Sequence, residues 1–380
     1  MTFDTMDLQG FTRGAEIEVA CDRIDAGLDE LWRGIARRSQ FAGHRACLLY
    51  LVIHAGDTPS EIVARYLATA LVGRLPARVI LIRARPNESG AGPPKAFVTT
   101  SRDPVGVVAE GGRSQVSGEI VILDARGAQL DRIPAVVRAT LVPDLATTLW
   151  WTGAVPPARS YVTALRDTVD RVVVDSEEIP DDVSVAHLLP PAGSGRLADL
   201  TWPRLAPWRT AIARAFDEPS HRSFLRDIDS VTIGLAAHGS RPPEASAVPL
   251  LAGWMATALG WRACVRRADR TVCFSARADG ASVRVCGEAR PSEFRGVVDV
   301  TLTAAARVLR FRRTPTGVVE AEVPEGFRAF RPAVFTDVDP VDALAATLLD
   351  VHGDPVAPEA IRRAPEIGTA LCGGGARVGA

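Results

Sequence analysis

The sequence predicts an α/β protein: a layered α/β domain with a mostly parallel sheet (1–197), an α+β domain with an antiparallel meander (198–352), and a flexible tail (353–380). Three observations predict it. Apolar runs at 46–55 (ACLLYLVIHA) and 77–84 (ARVILIRA) flank an amphipathic segment and show no alternation, the mark of strands buried on both faces. At 141–153 (LVPDLATTLWWTG) a Pro-Asp break opens an apolar run carrying two adjacent tryptophans. From Trp261 onward short strand-like runs follow one another, some separated by turn signals such as Asp279-Gly280.

Residues 24–37 place Ile24, Leu28, Leu31, Trp32 and Ile35 at helical spacing, with Arg37 and Arg38 at the end that favours cations. After the strand at 46–55, Thr58-Pro59-Ser60-Glu61 reads as a capping box opening a helix, and the strand at 77–84 completes a β-α-β unit. Strands are expected at 96–101, 118–124 and 170–175, and helices at 133–141 and 158–166. Successive strand side chains face opposite ways, so Trp150 and Trp151 cannot enter one core together. They mark a central strand covered on both sides, or a recognition surface at a strand's carboxyl end.

The run PPAGSG at 190–195 interrupts the pattern. Beyond it Pro207 suits the first turn of a helix striped by Trp208, Ala211, Ile212, Ala215 and Phe216. A strand at 230–237 and a helix at 246–259, with Ser246 as N-cap, come next. Strands are then expected at 261–267, 271–277, 282–287, 296–303, 306–313, 317–323 and 328–336, before a last helix opened by Asp339-Pro340.

Composition narrows the function. A formal net charge of -1 gives no global field for nucleic acid or an anionic membrane. Lys95 is the single lysine, so arginine carries nearly all positive charge. No apolar run is long enough to span a bilayer and the N-terminus has no signal pattern, so a cytoplasmic protein is expected. The six histidines are scattered and no C-x-x-C occurs, which leaves no metal motif.

The chemistry-bearing patterns are equally sparse. The turn after the first strand, His54-Ala55-Gly56-Asp57-Thr58-Pro59, lacks both G-x-G-x-x-G and the P-loop pattern, so no cofactor is expected. No G-x-S-x-G elbow occurs, and Asp144 after Pro143 reads more naturally as a turn residue than as a catalytic carboxylate. Two-residue turns at 268–269 and 279–280 would set Cys264 opposite Cys273, and Cys273 opposite Cys286, a row of thiols. Such a row is either three small buried hydrophobes or a redox-responsive group.

Four ordered motifs resemble one family. The stretch Pro143-Asp144-Leu145 to Leu149-Trp150-Trp151-Thr152-Gly153 resembles the P-D-L-P-x-x-L-W-W-x-G signature of OpcA, the glucose-6-phosphate dehydrogenase assembly protein. DRVVVDS at 170–176, the segment 198–217 (ADLTWPRLAPWRTAIARAFD) and LLAGWMATALGW at 250–261 are similar to further motifs of that family in the same order. Ala146 stands where the family commonly has proline, and the strand region at 262–336 matches in outline. The resemblance implies a non-catalytic protein that binds glucose-6-phosphate dehydrogenase and promotes its active oligomer. Asp144, Trp150, Trp151, Trp202, Arg204, Trp208 and Arg209 are then the candidate partner-binding residues, as surface anchors or as scaffold for the surface. The alternative is an enzyme or sensor that holds a sugar phosphate or nucleotide at the carboxyl edge of the sheet, with arginines as phosphate clamps.

Overall fold

The computed structural model describes residues 16–38, 44–45, 47–72, 75–100, 116–153, 160–177, 188, 196–237, 246–266, 271–275, 282–294, 296–328, 330–334, 340–350 and 354–372. Two compact units emerge: Met1–Val174 with His187–Leu197 and Pro340–Leu349, and Asp175–Ala186 with Ala198–Asp339 and Asp350–Ala380. The late helix at 340–349 therefore belongs to the first unit and residues 350–380 to the second. Local patterning identifies a helix but carries no information about which core its apolar stripe will meet.

The first unit is built on strands β1 (Ile17–Val19), β3 (Leu49–Ala55), β4 (Ala77–Arg85), β5 (Lys95–Thr100), β7 (Glu119–Arg126), β8 (Ala146–Thr152), β9 (Arg171–Val174) and the first two residues of β10 (Arg196–Asp199). Their order across the sheet is β1-β5-β7-β4-β3-β8-β9-β10. A separate two-stranded ribbon joins β2 (His44–Arg45) to β6 (Val116–Ser117). The five strands β7, β4, β3, β8 and β9 are mutually parallel, and β1 and β5 form an antiparallel margin. Numbered along the chain the parallel set runs 3-2-1-4-5, the doubly wound order, whose switch point falls between β3 and β8.

Helices α1 (Ile24–Arg38), α2 (Thr58–Val72), α3 (Ile133–Thr140), α4 (Ser160–Arg166) and α9 (Pro340–Leu349) complete this unit. Every residue of β3 is buried, as is β8 from Thr147 to Thr152, so both sheet faces are covered at the centre. That settles the paired tryptophans as core on opposite faces, with Trp150 3% and Trp151 0% exposed. The capping box is corrected: α2 begins at Thr58, and the Ser60 N–H donates to Asp57 Oδ1 at 2.7 Å, making Asp57 the cap.

The second unit carries β11 (Ser230–Ala237), β12 (Arg262–Arg266), β13 (Thr271–Ser275), β14 (Ser282–Pro291), β15 (Val297–Ala304), β16 (Arg307–Arg313), β17 (Val318–Glu322) and β18 (Ala333–Val334). The sheet order is β12-β13-β14-β11-β15-β16-β17-β18. The expected meander is therefore split: β11 inserts in its middle, parallel to β14 and antiparallel to β15. The helices are α5 (Thr201–Arg204), α6 (Ala206–Arg214), α7 (Arg222–Asp227), α8 (Ala247–Ala258) and α10 (Ala357–Cys372).

Helix α10 occupies most of the segment expected to be a flexible tail. It passes so close to α8 that a Cβ on Gly253 would lie 2.7 Å from the Ala360 carbonyl oxygen. Ser246 precedes α8 but makes no cap; its hydroxyl donates instead to the Ser176 carbonyl at 2.6 Å.

The thiol row is also corrected. Cys264 pairs with Phe274, Cys273 with Arg284, and Cys286 with Thr271. From the turn-side pair Arg266 and Val272 onward, β12 meets β13 one residue out of the expected register, which in a strand exchanges the two faces, and β13 meets β14 two residues out of it. The Cys264 side chain lies outside the described residues; Cys273 is a free, buried thiol and Cys286 a free, half-buried one.

Candidate functional site

Open doubly wound sheets bind ligands where the crossovers diverge, here at the carboxyl ends of β3 and β8. The residues there answer to one another. The Asp57 carboxylate occupies the N-terminus of α2, the place where such a helix otherwise offers its free N–H groups to an anion. Gly153, at φ 75, turns the chain after β8 onto this cap. A Cβ at Gly153 would sit 2.6 Å from Ser60 Oγ and 3.2 Å from Asp57 Oδ2, so Gly153 packs directly against the α2 cap.

Beneath the crevice His54 is 1% exposed. Its ring stacks on Trp151, with centroids 3.6 Å apart and planes 12° from parallel, and Tyr161 follows at 6.0 Å. The Tyr161 hydroxyl lies 3.4 Å from His54 Nε2, while Nδ1 has no hydrogen-bond partner among the described residues. Burial lowers the His54 pKa to about 3, so the imidazole is neutral near pH 7 and sealed from solvent.

The arginines at this edge are matched by carboxylates. Arg85 contacts Glu61 at 2.5 Å, and Arg83 lies 3.5 Å from Glu16 and Glu61 and 3.7 Å from Asp124. Arg126 contacts Glu88 at 2.8 Å. Arg85 and Arg126 are thus engaged by acidic groups of the same unit, whereas Arg83 sits within ion-pair range of three carboxylates while its Nε and Nη2 make no hydrogen bond among the described residues.

A second cluster lies in the other unit, where residues of two of the sequence motifs meet. Arg204 on α5 grips Asp175 through Nη1–Oδ1 at 2.8 Å and Nη2–Oδ2 at 2.7 Å, and reaches Glu177 at 2.9 Å. Burial opposes the Arg204 charge, but Asp175 and Glu177 more than offset it and hold the pKa above the usual arginine value. Asp199 Oδ1 accepts from the backbone N–H groups of Ser176 at 3.2 Å and Thr201 at 2.9 Å. Burial, then the nearby Asp175 charge, raises the Asp199 pKa to about 6.

Next to it, Arg209 stacks on the Trp202 ring at 3.8 Å and donates to the Trp202 carbonyl at 2.6 Å. The Trp202 indole N–H donates to Asp354 at 3.2 Å. Burial lowers the Arg209 pKa to about 10, with Asp354 working the other way.

These motif-bearing segments fall inside two matching family models. Residues 68–188 match the model described as glucose-6-phosphate dehydrogenase subunit N-terminal domain, and 196–361 match the corresponding C-terminal domain. The chain belongs to the OpcA family.

An OpcA protein of Nostoc punctiforme, named for the OxPP cycle, is 35% identical over 147 residues, which cover 38% of this chain and 30% of that protein. One from Synechocystis is 31% identical over a stretch of the same length and coverage. The match thus spans about a third of these curated relatives' length. Among solved structures, Gal80p from Kluyveromyces lactis aligns with a TM-score of 0.44 and 9% identity, covering 88% of this chain and 95% of that one. GenD2 from gentamicin A biosynthesis, in complex with NAD, gives 0.43 and 12%, covering 88% and 96%. These likenesses are too slight to bear on function.

Within the OpcA motifs, the structure separates the candidate residues sharply. Trp150, Trp151, Trp202 and Trp208 are 3%, 0%, 7% and 1% exposed, and Arg204 and Arg209 are engaged as described. Their contacts are internal, so they shape a surface rather than form one. Asp144 alone of the seven is exposed, in the Pro143-Asp144 turn with φ 76, a left-handed conformation rare outside glycine. Val142 beside it is 54% exposed.

Sequence reasoning missed His54, Asp57, Asp175, Asp199 and Asp354 as site-forming groups. A histidine inside an otherwise apolar strand, and aspartates within the DRVVVDS and ADLTW motifs, were the available signals. In the second unit a depression of about 440 Å³ is lined by Arg214, Asp217, Glu218, His221 and Arg328 among others. His221 there is committed at both ring nitrogens: Nδ1 lies 2.8 Å from the Ala215 carbonyl, and Nε2 accepts from the Arg328 N–H at 3.0 Å.

Proposed function

We propose that this chain is a non-catalytic assembly factor and allosteric activator of glucose-6-phosphate dehydrogenase, acting in the bacterial cytoplasm to support NADPH production by the oxidative pentose phosphate pathway. The observation that carries the proposal is the pair of family models, both described as domains of a dehydrogenase subunit and together spanning most of the chain. The crevice supports the non-catalytic part of the reading. Asp57 stands where a pyrophosphate would bind, His54 is shielded by Trp151 and Tyr161, and the edge arginines face carboxylates. The same features weigh against a sugar-phosphate or nucleotide enzyme at that edge.

Activation requires that the chain bind the active conformation or oligomer of the dehydrogenase more tightly than the inactive one. The exposed turn at Asp144 is the contact we assign to the motif, with the buried tryptophans behind it as support. Titrating the same organism's dehydrogenase with this protein, with size measured in parallel, tests the reading. A saturable rise in rate accompanied by a larger complex is expected. Unchanged rate and no complex, together with saturable binding of a sugar phosphate or nucleotide by the isolated chain, would replace it with the ligand-binding reading.

A further inference from the structure

The eight-stranded sheet of the second unit has two unlike faces. Val272, Phe274, Val283, Val285, Val231 and Ile233 belong to an apolar face and are all 3% exposed or less. The cross-strand rows on the other face are polar. One runs Cys286, Thr232, Thr301, Arg310, Glu322 through four directly registered pairs. The next runs from the buried Cys273 through Arg284, Ser230 and Thr303 to Val308, and a third carries Glu288, Gly234, Asp299, Arg312 and Glu320.

A solvated face of an antiparallel sheet is ordinary, but this one is patterned. Its middle strands, β11 and β15, present small, uncharged Ser230, Thr232, Thr301 and Thr303, all half-buried, with Gly234 between. Long charged side chains stand on both flanks: Arg284, Glu288 and Arg290 on β14, and Arg310, Arg312, Glu320 and Glu322 on β16 and β17. Each flank therefore carries both signs. The pairs within the second flank are loose and half-exposed, Arg310 to Glu322 at 3.8 Å and Arg312 to Glu322 at 3.9 Å. Such pairs are worth little in solvent and exchange partners at low cost.

We infer that this face is a docking surface for a second copy of the chain, packed sheet on sheet about a two-fold axis through the hydroxyl strip. An isologous contact needs one patch complementary to itself. A flat low centre flanked by mixed charge meets that need, because the axis lays the β14 flank of one copy over the β16–β17 flank of the other. Five strands, from β14 to β17, at about 4.8 Å spacing and about 3.3 Å per residue give a face roughly 24 Å by 25 Å. With side-chain relief, that approaches the roughly 800 Å² per partner of a standard interface. Its polarity makes the dimer a weak, salt-sensitive one.

Sedimentation of the full chain from about 1 to 200 μM, the range that brackets a micromolar association, tests this. A monomer–dimer equilibrium that weakens with salt is expected. Thr301→Arg sets two guanidiniums against each other near the axis and should shift the midpoint at least about tenfold, equivalent to about 1.4 kcal/mol. Arg312→Glu, at an exposed position, should do the same through flank repulsion, and melting curves check that each variant folds. A monomer throughout the range, or a dimer indifferent to both folded variants, overturns the proposal. A monomer whose Thr301→Arg variant no longer joins the dehydrogenase also overturns it, and gives the face to that enzyme instead.

Discussion

Asp175 and Arg204 lie 29 positions apart in the chain, yet meet in two parallel hydrogen bonds at 2.7 and 2.8 Å. Asp175 comes from the DRVVVDS motif and Arg204 from the ADLTWPR motif. The neighbouring Ser176 accepts a third partner at its carbonyl, the Ser246 hydroxyl that precedes α8. One bidentate pair thus fastens two of the OpcA motifs together, and the neighbouring Ser176 ties them to the residue that precedes α8.

Arg204→Lys retains the charge but loses the planar fork, and Arg204→Met leaves Asp175 and Glu177 facing each other with no cation. Urea denaturation should show a loss of about 1–2 kcal/mol for the lysine variant and about 3 kcal/mol for the methionine variant. Equal, small losses for both would mean that the fork contributes nothing beyond charge.

His54 sets a stability slope below neutrality. Its folded pKa, about 3, lies beneath the ordinary 6.5, so between those values the unfolded chain binds a proton that the folded chain refuses. Stability should fall as pH drops from about 6.5 toward 3. His54→Phe keeps the stack on Trp151 and removes the titrating group. Its denaturation midpoint should change less than the parent's between neutral and mildly acidic pH.

Asp199 contributes with the opposite sign. Its folded pKa, about 6, lies above the ordinary 3.8, so its contribution is greatest below 3.8 and is lost as pH rises through 6. Asp199→Asn can keep an oxygen facing the Ser176 and Thr201 N–H groups without the buried charge. At pH 7 this variant should be as stable as the parent or more so, and chemical denaturation across pH 4 to 7 should show the Asp199 slope missing. Clear destabilisation at neutral pH would show that the carboxylate is needed as an anion.

Two changes in the tryptophan motif should behave differently. Trp151→Ala empties a fully buried site and strips the stack from His54, costing about 3–5 kcal/mol, readable by calorimetry. Asp144→Gly relieves a left-handed backbone at φ 76 and should raise stability by up to about 1 kcal/mol. If the turn meets the dehydrogenase, the glycine variant activates it more weakly despite its greater stability. Full activation would remove Asp144 from the contact.

Much of the architecture was legible because strand patterning is local. The unalternating runs at 49–55 and 77–85, the tryptophan strand at 146–152 and the helix stripe at Trp208, Ala211 and Ile212 reveal themselves within a few residues. The insertion of β11 between β14 and β15 was not legible, since pairing order depends on contacts across dozens of residues. The cysteine register failed for a related reason: β12 on β13 and β13 on β14 pair one and two residues away from the registers that two-residue turns would give.

By itself the sequence determined the α/β class and the motifs that place the chain among OpcA proteins, while the burial of both paired tryptophans was settled by the structure. The class and the motifs reside in side-chain identity and short-range periodicity. Tertiary structure alone decided that Asp57 closes the helix terminus at the switch point, that Arg204 is held by Asp175, and that Asp144 is the exposed member of its motif. Each depends on which distant segment a polar group finds when water is removed, and a buried polar group takes the partner that folding brings within hydrogen-bond reach.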